Sequence, residues 1–227
     1  MEINHNNCWF KGICTLNKCD EPICTRYEHM LEMLQKSNLK ETQWKKYNFE
    51  PVRDDVFAYN ELDTLRKEGL KKWYQSFHSL YIWSENYLNG KTAWAVKLLQ
   101  NYFILWVDYQ FNSYPCGYFI TANQLKDAYK SQVNDLEKFN QLNHDLLNSE
   151  LLVIDDVDLI LGDEKIEKYL GGILDERYKA EKSVIYTSHL SPDDFKEKTT
   201  NKFLQSRIIE LSQEIEFKAP TYRKEAF

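Results

Sequence analysis

The stretch Leu80-Tyr81-Ile82-Trp83-Ser84-Glu85-Asn86-Tyr87-Leu88-Asn89-Gly90-Lys91-Thr92 decides the reading of this chain. Its apolar start reads as a buried strand, and Lys91 opens a segment, as far as Gln110, that reads as a long helix. Between them a polar loop ends in Asn89-Gly90-Lys91-Thr92. A polyphosphate needs several converging backbone N–H donors, a positive charge and a hydroxyl for Mg2+. A loop that runs into a helix N-terminus supplies the donors and a favourable dipole. Lys91 is placed to reach the β- and γ-phosphates, Thr92 to ligate the metal, and Gly90 to let the backbone come close. The complete pattern is Gly-x-x-x-x-Gly-Lys-[Ser/Thr], and here Glu85 stands at the first glycine. Its carboxylate must point away from the phosphates. Asn86 and Asn89 are the residues expected to absorb left-handed dihedrals in the loop.

Outward from this stretch, strands and helices alternate. Gly117-Tyr118-Phe119-Ile120 reads as a second strand, Ala122 to Ser131 as a helix, and Leu151-Leu152-Val153-Ile154 as a third strand. Glu164 to Tyr178 reads as a helix, Ser183-Val184-Ile185-Tyr186 as a fourth strand and Ile208-Ile209-Glu210-Leu211 as a fifth. Short apolar strands separated by helices predict an α/β fold with a mostly parallel sheet covered on both faces. Upstream, an amphipathic helix is expected from about Tyr59 to Phe77, with Leu62, Leu65, Leu70 and Trp73 inward.

The third strand ends in Asp155-Asp156. Rigid carboxylates at the carboxyl edge of a parallel sheet suit metal-assisted phosphoryl transfer. Asp155 is expected to share the Mg2+ shell with Thr92, and Asp156 to orient or deprotonate the attacking water. Asp158 reads as a further solvated acid. The fourth strand runs into Thr187-Ser188-His189, any of which could sense a γ-phosphate; His189 could equally cap the helix that starts near Ser191-Pro192. Arginine is scarce: Arg26, Arg53, Arg66, Arg177, Arg207 and Arg223 are the whole set. In Ser206-Arg207-Ile208 an arginine could stabilise transition-state charge across a subunit boundary, or form a surface salt bridge. Arg177 is a second candidate for that role.

Together, Asn89-Gly90-Lys91-Thr92, Leu152-Val153-Ile154-Asp155-Asp156, Thr187-Ser188-His189 and Ser206-Arg207-Ile208 resemble the DnaC/DnaI/IstB-like branch of AAA+ ATPases, from about residue 60 to the end. Cys8-Trp9-Phe10-Lys11-Gly12-Ile13-Cys14, leading into Cys24-Thr25-Arg26-Tyr27, resembles small phage-encoded members regarded as loaders of the replicative helicase. The resemblance implies an AAA+ P-loop NTPase core with a five-stranded parallel sheet and ATP at subunit interfaces. It implies Asn89, Gly90, Lys91, Thr92 and Ala93 as Walker A, Asp155 and Asp156 as Walker B, Thr187 beside the nucleotide, His189 where a sensor asparagine is usual, and Arg207 acting in trans. Single-stranded DNA, a replicative DnaB-type helicase and self-association into a ring or spiral are the implied partners. The cofactors are then ATP and Mg2+.

Four of five cysteines, Cys8, Cys14, Cys19 and Cys24, fall in the first 24 residues. Disulfides are disfavoured in a reducing cytoplasm, and four thiolates satisfy tetrahedral Zn2+. His5 or His29 could replace one of them; ordinary thiols, or more remotely an iron–sulfur cluster, are the alternatives. The expected organisation is therefore a zinc-binding, helicase-docking module at 1–40, a linker at 41–58 and the ATPase domain at 59–227. A net charge of −6 excludes a globally basic nucleic-acid binder and leaves only a local basic track, such as Lys126 and Lys130. No apolar run is long enough for a membrane span, and the N-terminus lacks a secretory pattern, so a cytoplasmic location is expected, the host's if the chain is phage-encoded. Two other functions fit the same residues: a zinc-stapled adaptor with a degenerate nucleotide site, and an IstB-like transposition helper ATPase.

Overall fold

The structure is a computed structural model that describes residues 8–10, 24–45, 53–76, 78–107 and 116–220. Its centre is a five-stranded sheet of β1 (Ser79–Trp83), β2 (Gly117–Thr121), β3 (Leu151–Asp155), β4 (Val184–Ser188) and β5 (Ser212–Glu216). The strand order is β2-β3-β4-β1-β5, and every pairing is parallel. All carboxyl ends therefore lie on one edge of the sheet. The strand β4 pairs with both β1 and β3, so the loop after β1 and the acids ending β3 flank it.

Side chains alternate across a strand, and here both sets are apolar. Leu80, Ile82, Phe119, Leu151, Val153 and Ile185 enter one core cluster. Tyr81, Ile120, Leu152, Ile154, Val184 and Tyr186 enter the other. The first face is covered by α1 (Thr25–Lys36), α2 (Val56–Thr64), α3 (Leu70–Gln75) and α4 (Lys91–Trp106). The second is covered by α5 (Ala122–Ser131), α6 (Leu136–Asn148), α7 (Glu164–Lys179), α8 (Pro192–Lys198) and α9 (Lys202–Gln205). No described helix is long and apolar enough to cross a membrane.

Several expectations need correction. The run Ile208-Ile209-Glu210-Leu211 is not the fifth strand: Ser206–Glu210 forms a π-helical turn that buries Ile208 and Ile209, and β5 begins at Ser212. An apolar doublet serves a helix turn as well as a strand, so its length could not decide between them. The helix before β1 is interrupted by a π turn at Leu65–Gly69. Its inward residues are as expected for Leu62, Leu70 and Trp73, while Leu65 is only partly buried.

The N-terminal segment is built into the first face. Met30, Met33 and Leu34 of α1 and the neighbours Trp9 and Phe10 share the core of α4, with Trp9 against Tyr27 at 5.2 Å. Ser37 and Asn38 then lie along the outer edge of β2. Phe119 N donates to Ser37 O at 2.8 Å, and Asn38 Nδ2 donates to Phe119 O at 2.9 Å. Such pairing covers part of an otherwise open sheet edge. Among the described residues, α1 shares one core cluster with α4 and the sheet.

Candidate nucleotide site

Three chain segments meet at the carboxyl edge of the sheet. The loop after β1 is anchored by Ser84, whose Oγ accepts from Asn86 N at 3.1 Å and from Asn89 Nδ2 at 2.6 Å. Asn86 Nδ2 also donates to the carbonyls of Lys218 and Ala219, which ties the loop to the segment after β5. Glu85 is exposed, as a carboxylate at that position must be. The left-handed residues of the loop are Leu88, with φ 58°, and Gly90, with φ 98°; Asn86 and Asn89 are not among them. The asparagines serve as hydrogen-bonding anchors, and the backbone reversal falls on the residue between them and on the glycine. Gly90 is the N-cap of α4, so the first free N–H groups of that helix face the loop.

The reacting groups gather here. Thr92 Oγ1 donates to Asp155 Oδ1 at 2.8 Å, and Thr187 Oγ1 donates to the same oxygen at 2.6 Å. Thr187 Oγ1 in turn accepts from Asp156 N at 2.9 Å. Thr187 is fully buried near the end of β4, beside Asp155 at the end of the neighbouring β3. Asp156 holds a left-handed conformation, φ 55°, an unusual backbone that aims its carboxylate away from the strand direction. Lys91 Nζ donates to Asn86 O at 2.9 Å and Asn89 Oδ1 at 3.3 Å, and lies 3.4 Å from His189 Nδ1. The other imidazole nitrogen of His189, Nε2, faces Asp156 Oδ1 at 3.5 Å.

Charges are crowded and partly dehydrated. Burial pushes the Asp155 carboxyl up to about 6, and Asp156 beside it adds to the rise; the two threonine hydroxyls and Lys91 oppose it. Burial also raises Asp156, against the pull of His189 and Lys91. Lys91 is lowered by burial, and the three aspartates 155, 156 and 158 work to keep it charged. His189 is lowered by burial first and then by Lys91.

These groups open on a cavity of about 580 Å³ lined by Asn89, Gly90, Lys91, Thr92, Ala93, Asp156, Asp158 and His189, with Tyr87, Leu88 and Leu159 at its apolar side. The expected residues Lys91, Thr92, Asp155, Asp156 and His189 are thus brought together. Asp158 is not merely solvated: its Oδ1 accepts from His189 N at 3.0 Å. Nor does His189 cap α8, since Ser191 takes that place and accepts from Asp194 N. Sequence reading did not single out Tyr87, Leu88 and Leu159 because they fall in variable or turn positions with no periodic signal.

Two arginines separate. Arg177 is fully buried, and its guanidinium donates to the carbonyls of Leu146, Ser149, Glu150 and Ser183 at 2.8–3.1 Å. Burial lowers it to about 10. It stitches the turns before β3 and β4 together and is not available to a neighbouring subunit, which removes it as a candidate. Arg207 lies nearer the surface, paired with Asp175 at 2.9 Å and held over the rings of Tyr178 and Phe203 at 4.3 and 4.8 Å. It does not line its own chain's cavity.

Of the proposed zinc ligands, Cys14, Cys19 and His5 lie outside the described residues, and Cys8 and Cys24 are half-buried free thiols. His29 Nδ1 is 3.1 Å from Val107 O. Among the described residues no group of three or more His, Cys, Asp or Glu side chains could hold a metal ion.

A parallel β2-β3-β4-β1-β5 sheet with a lysine-bearing loop after β1 and paired acids after β3 is the core of an AAA+ ATPase. The chain belongs to the bacterial DnaA ATPase-domain family, whose profile matches residues 71–210, more than half of its length. It is similar to domain III of the Thermotoga maritima replication initiation protein DnaA, at 17% identity and a TM-score of 0.62, over 76% of this chain and 65% of that one. It is also similar to a replication initiator DnaA bound to AMPPCP and single-stranded DNA, at 17% identity and TM-score 0.56, over 76% of this chain and 49% of that one. The DnaC helicase loader is similar at 18% identity and TM-score 0.54, over 82% of this chain and 98% of that one. The chain thus spans between about half and two thirds of these DnaA structures, and at such identities the likeness is one of fold. No curated protein sequence matches the chain significantly.

Proposed function

We propose that the chain is an ATPase that loads a replicative DnaB-type helicase onto single-stranded DNA. The observation that carries the nucleotide part is the meeting of Lys91, Thr92, Asp156 and His189 at one cavity, with Thr92 in direct contact with Asp155. The oxygen donors fit Mg2+: the Thr92 hydroxyl and the buried Asp155 carboxylate are hard ligands in direct contact with each other. Mg2+ on a bound triphosphate neutralises charge developing on the phosphates. Lys91 and the N–H groups at the start of α4 bind and orient the phosphate chain. Asp156 accepts the proton of the attacking water, and His189 holds Asp156 and Lys91 in register. The position of Arg207, half-buried against Asp175, Tyr178 and Phe203 and away from its own cavity, is consistent with a role at a neighbour's site in a ring or spiral.

The near-complete span of the DnaC helicase loader supports the loader reading over an initiator reading. Lys126 and Lys130 on α5 are the proposed DNA contacts; binding there should weaken steeply with salt. Zinc at Cys8, Cys14, Cys19 and Cys24 remains a proposal from their spacing, and about one Zn per chain in native protein is its test. One observation favours the adaptor reading instead: Glu85 and the left-handed Leu88 both depart from a glycine-rich loop. Steady-state ATP hydrolysis with and without single-stranded DNA, and capture of a replicative helicase from the native cell, decide between them. The loader reading expects turnover that is lost in Lys91→Ala and Asp156→Asn. Turnover unchanged in both variants, or a transposase captured in place of a helicase, contradicts it.

A further inference from the structure

The loop after β1 holds two exposed apolar residues between its buried anchors. Tyr87 is 66% exposed and Leu88 53%. Neither belongs to the core clusters. Yet the Tyr87 ring is not idle: it stacks on the His189 imidazole with centroids 4.1 Å apart and planes 31° from parallel. The left-handed backbone at Leu88 reverses the chain between Tyr87 and the buried Asn89, and such a conformation in a non-glycine residue is held only where surrounding contacts fix it.

His189 needs an orienting contact. Its backbone N–H is fixed by Asp158, and its ring edges meet the backbone of Ser84 and, at the long end of hydrogen-bond range, Lys91 and Asp156. An ammonium at 3.4 Å makes Nδ1 an acceptor, so the proton sits on Nε2, which faces Asp156. Only one ring orientation places both nitrogens this way, and a flipped ring would set Cδ2–H against the ammonium and Cε1–H against Asp156. Stacking by Tyr87 presses on the face of the ring and leaves both nitrogen edges open to their partners.

We propose that Tyr87 is a positioning residue for His189: its ring holds the imidazole in the orientation that bridges the phosphate-loop lysine and the second aspartate. Tyr87 acts through the histidine, on whose ring it stacks. The inference rests on the reading of the cavity as an ATPase site, and it assigns a task to a loop position where a phosphate itself requires no side chain.

Two measurements on the full chain test it. The first is steady-state ATP turnover for the wild type, Tyr87→Ala and Tyr87→Phe. Loss of the stack should lower kcat roughly tenfold, while KM stays within about twofold, because a misplaced group affects the chemical step more than binding. Tyr87→Phe keeps the ring and should restore the wild-type rate. The second is long-range 1H–15N NMR of His189, which reads tautomer and titration without any need for turnover. The wild type should show the proton on Nε2; Tyr87→Ala should show a tautomer mixture with a midpoint moved toward 6.5, and Tyr87→Phe the wild-type pattern. An unchanged kcat and unchanged His189 spectrum in Tyr87→Ala overturn the proposal. If the wild type hydrolyses no ATP, the ATPase reading falls, and the spectra alone then decide for or against Tyr87.

Discussion

At the scale of single residues, the site runs on backbone conformations that side chains ordinarily avoid. Leu88 at φ 58° incurs about 1–2 kcal/mol of strain, and it is too exposed to recover much of that by burial. Asn tolerates this conformation, so Leu88→Asn should stabilise the protein by roughly 0.5–1 kcal/mol in urea unfolding, and Leu88→Val should destabilise it. The motif did not reveal this, because its variable positions carry no information on which residue turns left-handed. His189 yields a pH prediction. Its folded-state pKa lies below 6.5, so its contribution to stability is complete above 6.5 and is lost as pH falls through the folded-state value. Asp155, raised to about 6, has the opposite sign and gains stability on acidification. Subtracting the Tm profile of His189→Gln from that of the wild type isolates the imidazole. The difference should grow against the wild type as pH falls below about 6.5. A flat difference contradicts the burial of the ring beside Lys91.

At the scale of elements, apolar runs in the sequence located β1 to β4 and the alternation of strands with helices. They mislocated β5, because Gln213, Glu214 and Glu216 make an edge strand that only Ile215 anchors in the core. Polar alternation of that kind is legible only once the neighbouring β1 is in place. The interior role of Arg177 was equally hidden, since a fork-shaped donor suits a ring of carbonyls as well as a phosphate. Its removal should be severe. Arg177→Ala removes the guanidinium donor from four carbonyls, of which Ser183 O keeps only a long bond from Leu152 N, and a loss of about 3–5 kcal/mol is expected, with Arg177→Lys failing to rescue because an ammonium cannot span them. Chemical denaturation measures it. Gly117 offers a second element-level test. A Cβ there would lie 2.5 Å from Leu99 Cδ1 and 2.8 Å from Phe103 Cε1, so α4 packs on β2 only if that atom is missing. Gly117→Ala should cost about 1–3 kcal/mol by overpacking, and a neutral result would mean that α4 sits farther from the strand.

At the scale of the whole molecule, nucleotide, sheet and N-terminal segment are joined through α4. Its first turn carries Lys91 and Thr92, and its flank carries the core shared with α1 and with Trp9 and Phe10. Motifs pointed to the first of these ends, and the clustering of cysteines to a separate module at the other. Cysteine spacing speaks of metal; Trp9, Phe10, Met30 and Leu34 cover the face of the sheet that α4 also covers. The central claim is that Lys91, Thr92 and the twin aspartates grip one triphosphate with its magnesium. Equilibrium binding of a non-hydrolysable ATP analogue, with and without Mg2+, tests it most directly. The account predicts Mg2+-dependent binding at one site per chain, weakened at least about tenfold in Lys91→Ala and made insensitive to Mg2+ in Asp155→Asn. Binding that is absent in the wild type, or indifferent to both substitutions, would contradict it.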